Sequence, residues 1–453
     1  MIWNAPQLAC NHYLIYEYHM ELSFIDRLKH NLGLARKWFL NKAELWSYDL
    51  VGLPMAVRYA FGQGNPLHKF YAKRFWQLPY GPLRGLITAL LYPIALIIAV
   101  VIFTLWNGGA IQKRSGVSIL NQICGQVWAA LKHSIAPFWY YMFELYRPQN
   151  FARATEYLMA HETIGPAFTL LQPKDGVDLL PDKVWFAAHC HRMNVRAVPV
   201  YLYLSAGQIL QAASQKTDLP PCDLFIKPRQ GNGGHHAERW DYIAEDTYQN
   251  SGGIKLARAQ LLALLLEQSL KDEFIIQPRL INHAAIADIS NDALSTVRVL
   301  TCRNEKGEPE ATNVAFRMAV GGNSVVDNFH QGGLAAAVDM KTGAIGEASD
   351  IGIKPGMGWR EVHPVSGIRF KDRLLPDWQK VLDLACEAHK AFPHRIMVGW
   401  DVAMLQDGPM IIEGNGKPDL DIHQRVERGP LGEKRIAILV VFNLNKQLTS
   451  ERV

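Results

Sequence analysis

The sequence predicts a mixed α+β chain, in which short paired strands and amphipathic helices follow a helical, strongly apolar N-terminal region. Three stretches carry that expectation. Residues 397–405 and 409–412 are apolar, β-prone runs joined by Gln406-Asp407-Gly408, and an Asp-Gly pair between such runs marks a hairpin. Residues 224–228 read as a strand that leads into Arg229-Gln230-Gly231-Asn232-Gly233-Gly234. Residues 85–106 hold no charged side chain, and about 20 apolar residues suffice to cross a bilayer.

A length of 453 residues allows two or three domains with a sizeable core. The formal charge of +5 is too weak to argue for a nucleic-acid partner, and no basic-aromatic array accompanies it. Six scattered cysteines without a CxxC spacing read as reduced thiols in a cytoplasmic compartment. His189-Cys190-His191 invites a metal reading, but adjacent residues diverge around a helix.

Residues 1–117 form the first predicted region. Residues 22–34, 38–46, 57–61 and 70–76 interleave aromatic and aliphatic groups with Lys and Arg, as membrane-surface and ordinary core helices both do. No signal peptide is expected, since the first residues lack a basic segment followed by an apolar core. Residues 85–106, flanked by Arg84, Lys113 and Arg114, are expected to insert in a membrane; a helix buried inside the protein is the alternative. Ten Lys and Arg precede the segment, and the positive-inside rule resists translocating them. Pro93 is therefore expected to bend the segment into a re-entrant hairpin, a monotopic insertion with both ends on the cytoplasmic face.

Residues 118–220 are expected to form a helical and α/β lead-in domain. An aromatic-rich helical stretch (118–146) precedes a helix over 182–193 and a strand over 195–204. Residues 221–453 then carry the chemistry. Glycines let backbone N–H groups approach a polyphosphate, and Lys227 and Arg229 supply charge beside Gly231, Gly233 and Gly234. A helix over 255–270 leads to a strand at 274–278, which offers an apolar slot for a ring at Ile275, Ile276 and Gln277. Arg298 falls within a half-buried strand, where a charge needs an anion. Strand 311–320 carries Arg317 and runs into a loop with Asn328, His330, Gly332 and Gly333. A helix over 379–392 backs the hairpin, and 436–444 close the chain as a helix.

Asp401 lies in the first run of the hairpin, and Glu413 and Asn415 close the second. Side chains two apart on a strand share a face, so the hairpin folds Glu413 and Asn415 toward Asp401. Three hard oxygen donors suit Mg²⁺, or Mn²⁺, which takes further ligands from substrate phosphates. A plain hairpin with a charged rim is the bland reading.

The runs GWDVA and GPMIIEGN, with the strand lysine and glycine loop upstream, resemble the ATP-grasp superfamily. The order of motifs over residues 146–415 is most similar to the sugar-transfer-associated ATP-grasp family, related to α-L-glutamate ligases. That resemblance implies two α+β lobes clasping ATP. It places Lys227 and the loop on the phosphates, Ile275–Gln277 at adenine, Arg298 at the transferring group, and Asn328 with Gly332 and Gly333 on the acceptor side. Asp401, Glu413 and Asn415 match its metal ligands. The implied chemistry is ATP-dependent ligation of a carboxylate substrate to an amine donor, in cell-surface glycan or lipid-linked sugar modification at a membrane lipid surface. A kinase acting on a hydroxyl and a non-catalytic nucleotide-binding protein are the alternatives.

Overall fold

The computed structural model describes residues 53–54, 57–59, 65–77, 81–159, 162, 178–212, 218–230, 237–290, 292–320, 329, 332–353 and 358–450. The helices read at 22–34 and 38–46, Gly231, Gly233, Gly234, Asn328 and His330 lie outside these residues.

The described chain opens with helices α1 (Pro66–Gln77), α2 (Gly81–Ser115), α3 (Ile119–His133) and α4 (Pro137–Met142), followed by the short α5 (Pro148–Ala152). Ser118 caps α3 by accepting a hydrogen bond from the Asn121 amide, and Ser134 ends it in a left-handed turn. The expected hairpin at Pro93 is corrected: α2 runs through Pro93 as one helix of 35 residues. The proline removes one backbone hydrogen bond, but the apolar residues on both sides carry the helix onward. Nor is this the buried helix of the alternative reading, for only 11% of its most apolar window is buried.

Helix α6 (Lys183–Arg192) begins where the Asp182 carboxylate accepts from the amides of Val184 and Trp185. Cys190 is buried while His191 points outward, so the three residues diverge as helical geometry requires. Strands β1 (Leu202–Ser205), β2 (Gln208–Ala212), β3 (Leu224–Pro228), β4 (Glu238–Ala244), β5 (Thr247–Asn250) and β6 (Lys255–Ala257) follow, then α7 (Arg258–Gln268) and β7 (Phe274–Pro278). They make a seven-stranded sheet in the order β2-β1-β7-β3-β4-β5-β6. Two sequence boundaries shift. Residues 255–257 extend the sheet before α7 starts, and the strand expected over 195–204 pairs within this sheet only from Leu202. One face of the sheet, with Leu204, Ile226, Trp240 and Ile276, packs on Leu261 and Leu265 of α7.

Beyond α8 (Ala284–Ala287), strands β8 (Thr296–Arg303), β9 (Pro309–Met318), β10 (Leu334–Val338) and β11 (Ile345–Ser349) lead to α9 (Trp378–Lys390). Strands β12 (Met397–Leu405) and β13 (Gly408–Asn415) then precede α10 (Asp421–Val426) and α11 (Arg435–Ser450). The second sheet has six strands in the order β11-β10-β9-β8-β12-β13. Its Val297, Val299, Phe316, Val398, Trp400 and Val402 pack on α9, which buries Val381, Leu384, Ala385 and Ala388. Strand alternation sends the residues between them to the opposite face. A short connection joins the two sheets. Within residues 195–201, Ala197 bridges Ile411 of β13 and the Tyr201 amide donates to the Ile276 carbonyl of β7 at 2.7 Å.

The helical N-terminal region packs against this body. Tyr141, Phe143 and Tyr146 share a cluster with Ile422 and Val426 of α10 and with Ala315 and Ala335 of the six-stranded sheet.

Candidate active site

The site grows from the β12–β13 hairpin. Its two-residue turn, Gln406-Asp407, closes on Gly408, whose φ of +111° suits glycine. Register sets Val402 opposite Ile411 but Asp401 opposite Glu413, which leaves Ile412 as an extra residue on β13. That bulge decides the site. Ile411 and Glu413 would otherwise share the core face; the added residue turns Glu413 away from α9 and onto the face of Asp401. Gly414 then sits against the core, where a Cβ would lie 2.7 Å from Trp400 and 2.8 Å from Leu180.

Asp401 is also opposite Arg298 of β8, so Arg298, Asp401 and Glu413 form a row across three strands. The Asp401 side chain is nearly fully buried and doubly held. Arg298 donates from Nε to Oδ1 at 2.5 Å and from Nη2 to Oδ2 at 3.1 Å. Arg317, one strand further, brings Nη2 within 2.8 Å of Oδ2 and is itself steadied by Thr296 Oγ1 at 2.7 Å. Burial alone would raise the Asp401 carboxyl; the Arg298 and Arg317 guanidiniums overcome it and hold the group below its ordinary value.

The other lobe contributes Lys227. It lies one residue before the end of β3, half-buried, its ammonium 5.6 Å from the centre of the Phe225 ring. Burial pulls its pKa down to about 8; Glu413 and Asp401 oppose that and Lys183 adds to it. Lys183, at the start of α6, is likewise lowered by burial against the pull of Glu413 and Asp182, and it donates to the Arg229 carbonyl at 3.4 Å. Lys227 of the seven-stranded lobe and Lys183 of α6, whose Phe186 and Cys190 pack in the core beneath the six-stranded sheet, thus both interact with Glu413.

Arg229 is engaged elsewhere. Its guanidinium pairs with Asp182 at 2.6 Å and Glu273 at 3.2 Å and stacks on Tyr203, which ties α6 to the seven-stranded sheet. Ile275 and Ile276 are wholly buried in β7, an interior strand whose backbone serves β1 and β3. Among the described residues the β1 side of the ladder ends at Ile276, and buried Gln277 follows it. Gly332, at φ +100°, and Gly333 lead into β10 beside Phe329, which is buried.

The structure thus brings together Asp401, Glu413, Arg298 and Lys227 of the expected residues, with Asn415 at the end of the same strand. Arg317 and Lys183 complete the group. The argument applied to Arg298, a charge inside a strand that needs an anion, reaches Arg317 equally well; nothing in the sequence around Lys183 singles it out. Arg425 is a structural anchor. It is buried against Glu144 at 3.4 Å, the Met142 carbonyl at 2.6 Å and the Trp359 ring.

Two antiparallel sheets, with a lysine of one interacting with paired carboxylates of the other, define an ATP-grasp fold. Within that class the chain belongs to the sugar-transfer associated ATP-grasp family, whose model matches residues 168–435, more than half of the sequence. Among solved structures it is similar to D-alanyl-alanine synthetase A from Vibrio cholerae, at 10% identity and a TM-score of 0.35, over 59% of this chain and 65% of that one. It is also similar to L-amino acid ligase from Bacillus licheniformis, at 10% identity and a TM-score of 0.35, over 67% of this chain and 59% of that one. A third is N5-carboxyaminoimidazole synthase from Aspergillus clavatus, in complex with ADP and 5-aminoimidazole ribonucleotide, at 10% identity and a TM-score of 0.31, over 61% and 59%. The match spans less than two thirds of each of these structures. No curated protein sequence matches the chain.

The donor set can be tested against the divalent ion that this fold implies. Among the described residues no three His, Cys, Asp or Glu side chains converge, so an all-carboxylate or imidazole cage is not offered. Two adjacent carboxylates and an amide, all oxygen donors, fit a hard cation that takes its other ligands from phosphate and water.

Proposed function

We propose that the chain is an ATP- and Mg²⁺-dependent ligase that joins a carboxylate to an amine through an acyl phosphate. The row Arg298–Asp401–Glu413, facing Lys227 and Lys183, carries the reading. Four cationic side chains surround two carboxylates, an excess of positive charge suited to a triphosphate. Lys227, from the seven-stranded lobe, and Lys183, from α6, bind phosphate oxygens. Arg298 and Arg317 stand where charge develops on the transferring phosphoryl group, and positioned cations are the main aid that such transfer takes from a protein. Asp401, Glu413 and Asn415 would hold Mg²⁺, which when bound withdraws charge from the phosphate oxygens.

The substrate carboxylate attacks the terminal phosphorus, its bond to ADP breaks, and the amine then displaces phosphate from the acyl carbon. The family description supports a substrate from cell-surface glycan or lipid-linked sugar assembly; apolar α2 supports work at a membrane, and dependence on ATP favours its cytoplasmic face. ADP release by the purified chain, screened over carboxylated sugars paired with amino acids, tests the chemistry. Release that needs both partners and yields free phosphate is the expected result; phosphate left on a hydroxyl product would make the protein a kinase instead.

A further inference from the structure

We propose that α2 and α3 rest within a single leaflet of a lipid bilayer, the chain entering and leaving it on the side that carries the catalytic body. The inference rests on the membrane placement proposed above and is independent of the ligation chemistry. Helix α2 turns an apolar face outward, with Leu90 69%, Ile97 64% and Leu105 79% exposed, and α3 continues it with Leu120 and Leu131. Between the two helices runs a groove of about 670 Å³ lined by Leu96, Ile97, Val101, Ile123 and Val127, among others. Such a groove has the width and chemistry for hydrocarbon chains.

The polar groups of the helix pair point the other way. Gln122 Nε2 donates to the Gly108 carbonyl at 3.1 Å, and Gln126 Nε2 to Thr104 Oγ1 at 2.8 Å and to the Tyr141 hydroxyl at 3.2 Å. These amides are turned inward, with Gln126 Oε1 left without a partner, and the outer face offers aliphatic groups and the rings of Trp106 and Trp128. Trp128 and Lys132 meet at the border, ammonium 5.4 Å from the ring centre, and Lys113 is exposed at the end of α2. Aromatic rings beside lysines suit an anionic headgroup layer.

Topology follows from where the flanks are fastened. Before α2, Asn65 Nδ2 donates to the Gly432 carbonyl at 2.6 Å, His68 pairs with Glu162 at 2.5 Å, and Leu67 packs among Ile436, Leu439 and Val440 of α11. After α2, Trp139 Nε1 donates to Asp421 at 2.6 Å. A transmembrane span would set these flanks on opposite sides of some 30 Å of hydrocarbon, yet both are bound to one body. Nor can α1 serve as a return span, since its 12 residues reach only about 18 Å and it exposes Lys69 and Lys73. The 35-residue helix therefore lies along the leaflet.

Flotation of the full chain with vesicles of phosphatidylcholine and phosphatidylglycerol tests the docking. Wild type should float, and Leu90→Glu/Ile97→Glu/Leu105→Glu should reduce the floated fraction about tenfold or more, because each carboxylate must enter hydrocarbon. Matching unfolding midpoints for the two proteins exclude misfolding as the cause. Wild type that stays with the aqueous fraction, or light scattering that shows the face closed by a second copy, overturns the membrane placement. In floated wild type, a membrane-impermeant succinimidyl ester should modify both Lys73 and Lys113 from outside intact vesicles. Protection of one until detergent is added would overturn the one-leaflet topology while leaving membrane attachment standing.

Discussion

Asp401 shows how a single buried carboxylate can be kept ionised by its neighbours. Taking it out of water is unfavourable, and only the two guanidiniums that touch it reverse the balance. Arg298→Leu should thus destabilise the fold by about 1–3 kcal/mol, less than for a buried charge stripped of every partner, because Arg317 stays paired with Asp401. Adding Asp401→Asn to that variant should recover part of the loss, and denaturant titration of the four proteins reads the coupling. Purely additive effects would contradict a direct ion pair. Asp401→Asn with Glu413→Gln should also end ADP formation while leaving the chain folded. Lys227 supplies the pH dependence. With its pKa lowered to about 8, the folded protein loses this cation well before an ordinary lysine would. Nucleotide affinity should therefore weaken as pH climbs through 8, with proton uptake on binding, because phosphate favours the charged form. Calorimetry in buffers of different ionisation enthalpy measures both, and Lys227→Arg should flatten the profile.

The hairpin β12–β13 illustrates which parts of the architecture the amino-acid order discloses. Alternating apolar residues and the Asp-Gly turn make the hairpin readable, and the D…E-x-N spacing marks its ligands. The bulge at Ile412 is not readable, because every residue from 409 to 412 is compatible with either parity; packing of Ile411 and Trp400 under α9 chooses. Arg229 was open to a similar ambiguity. Its place beside a glycine loop suggests phosphate, whereas Asp182 and Glu273, 47 and 44 residues away, claim it in three dimensions. Pro93 reads as a bend, but neighbouring apolar contacts keep its helix whole. Gly414→Ala tests the packing directly: the new methyl would meet Trp400 and Leu180 inside 3 Å, so a loss of about 1–3 kcal/mol and weaker metal-dependent nucleotide binding are expected. Unchanged thermal stability would show that the core yields easily. His389 fastens α9 to the same sheet, its Nδ1 accepting from Thr301 at 2.7 Å and its Nε2 donating to the Arg395 carbonyl. Burial lowers its pKa to about 4. Unfolded chains protonate histidine first, so stability should be full above about pH 6.5 and decline toward pH 4 by about 3 kcal/mol from this group. His389→Gln, followed by denaturant titration across that range, should remove this part of the slope.

At the scale of the whole molecule, the N-terminal helices and the ATP-grasp body share one apolar cluster, in which Tyr141 and Phe143 cover Ile422, Val426 and Phe329. One cooperative melting transition is expected. A chain begun at residue 148 should expose that cluster and aggregate, and two separate transitions in calorimetry would show that the regions fold apart. The connection at residues 195–201 has a further effect. It is sewn to the six-stranded sheet by the Ile411 amide on the Arg196 carbonyl and the Val198 amide on the Ile411 carbonyl, each at 2.9 Å, and to the seven-stranded sheet at Tyr201. Between those stitches lies Pro199, whose ring fixes its φ torsion. The two sheets thus share a short, stiff strap that keeps the strands of Lys227 and Glu413 from separating freely.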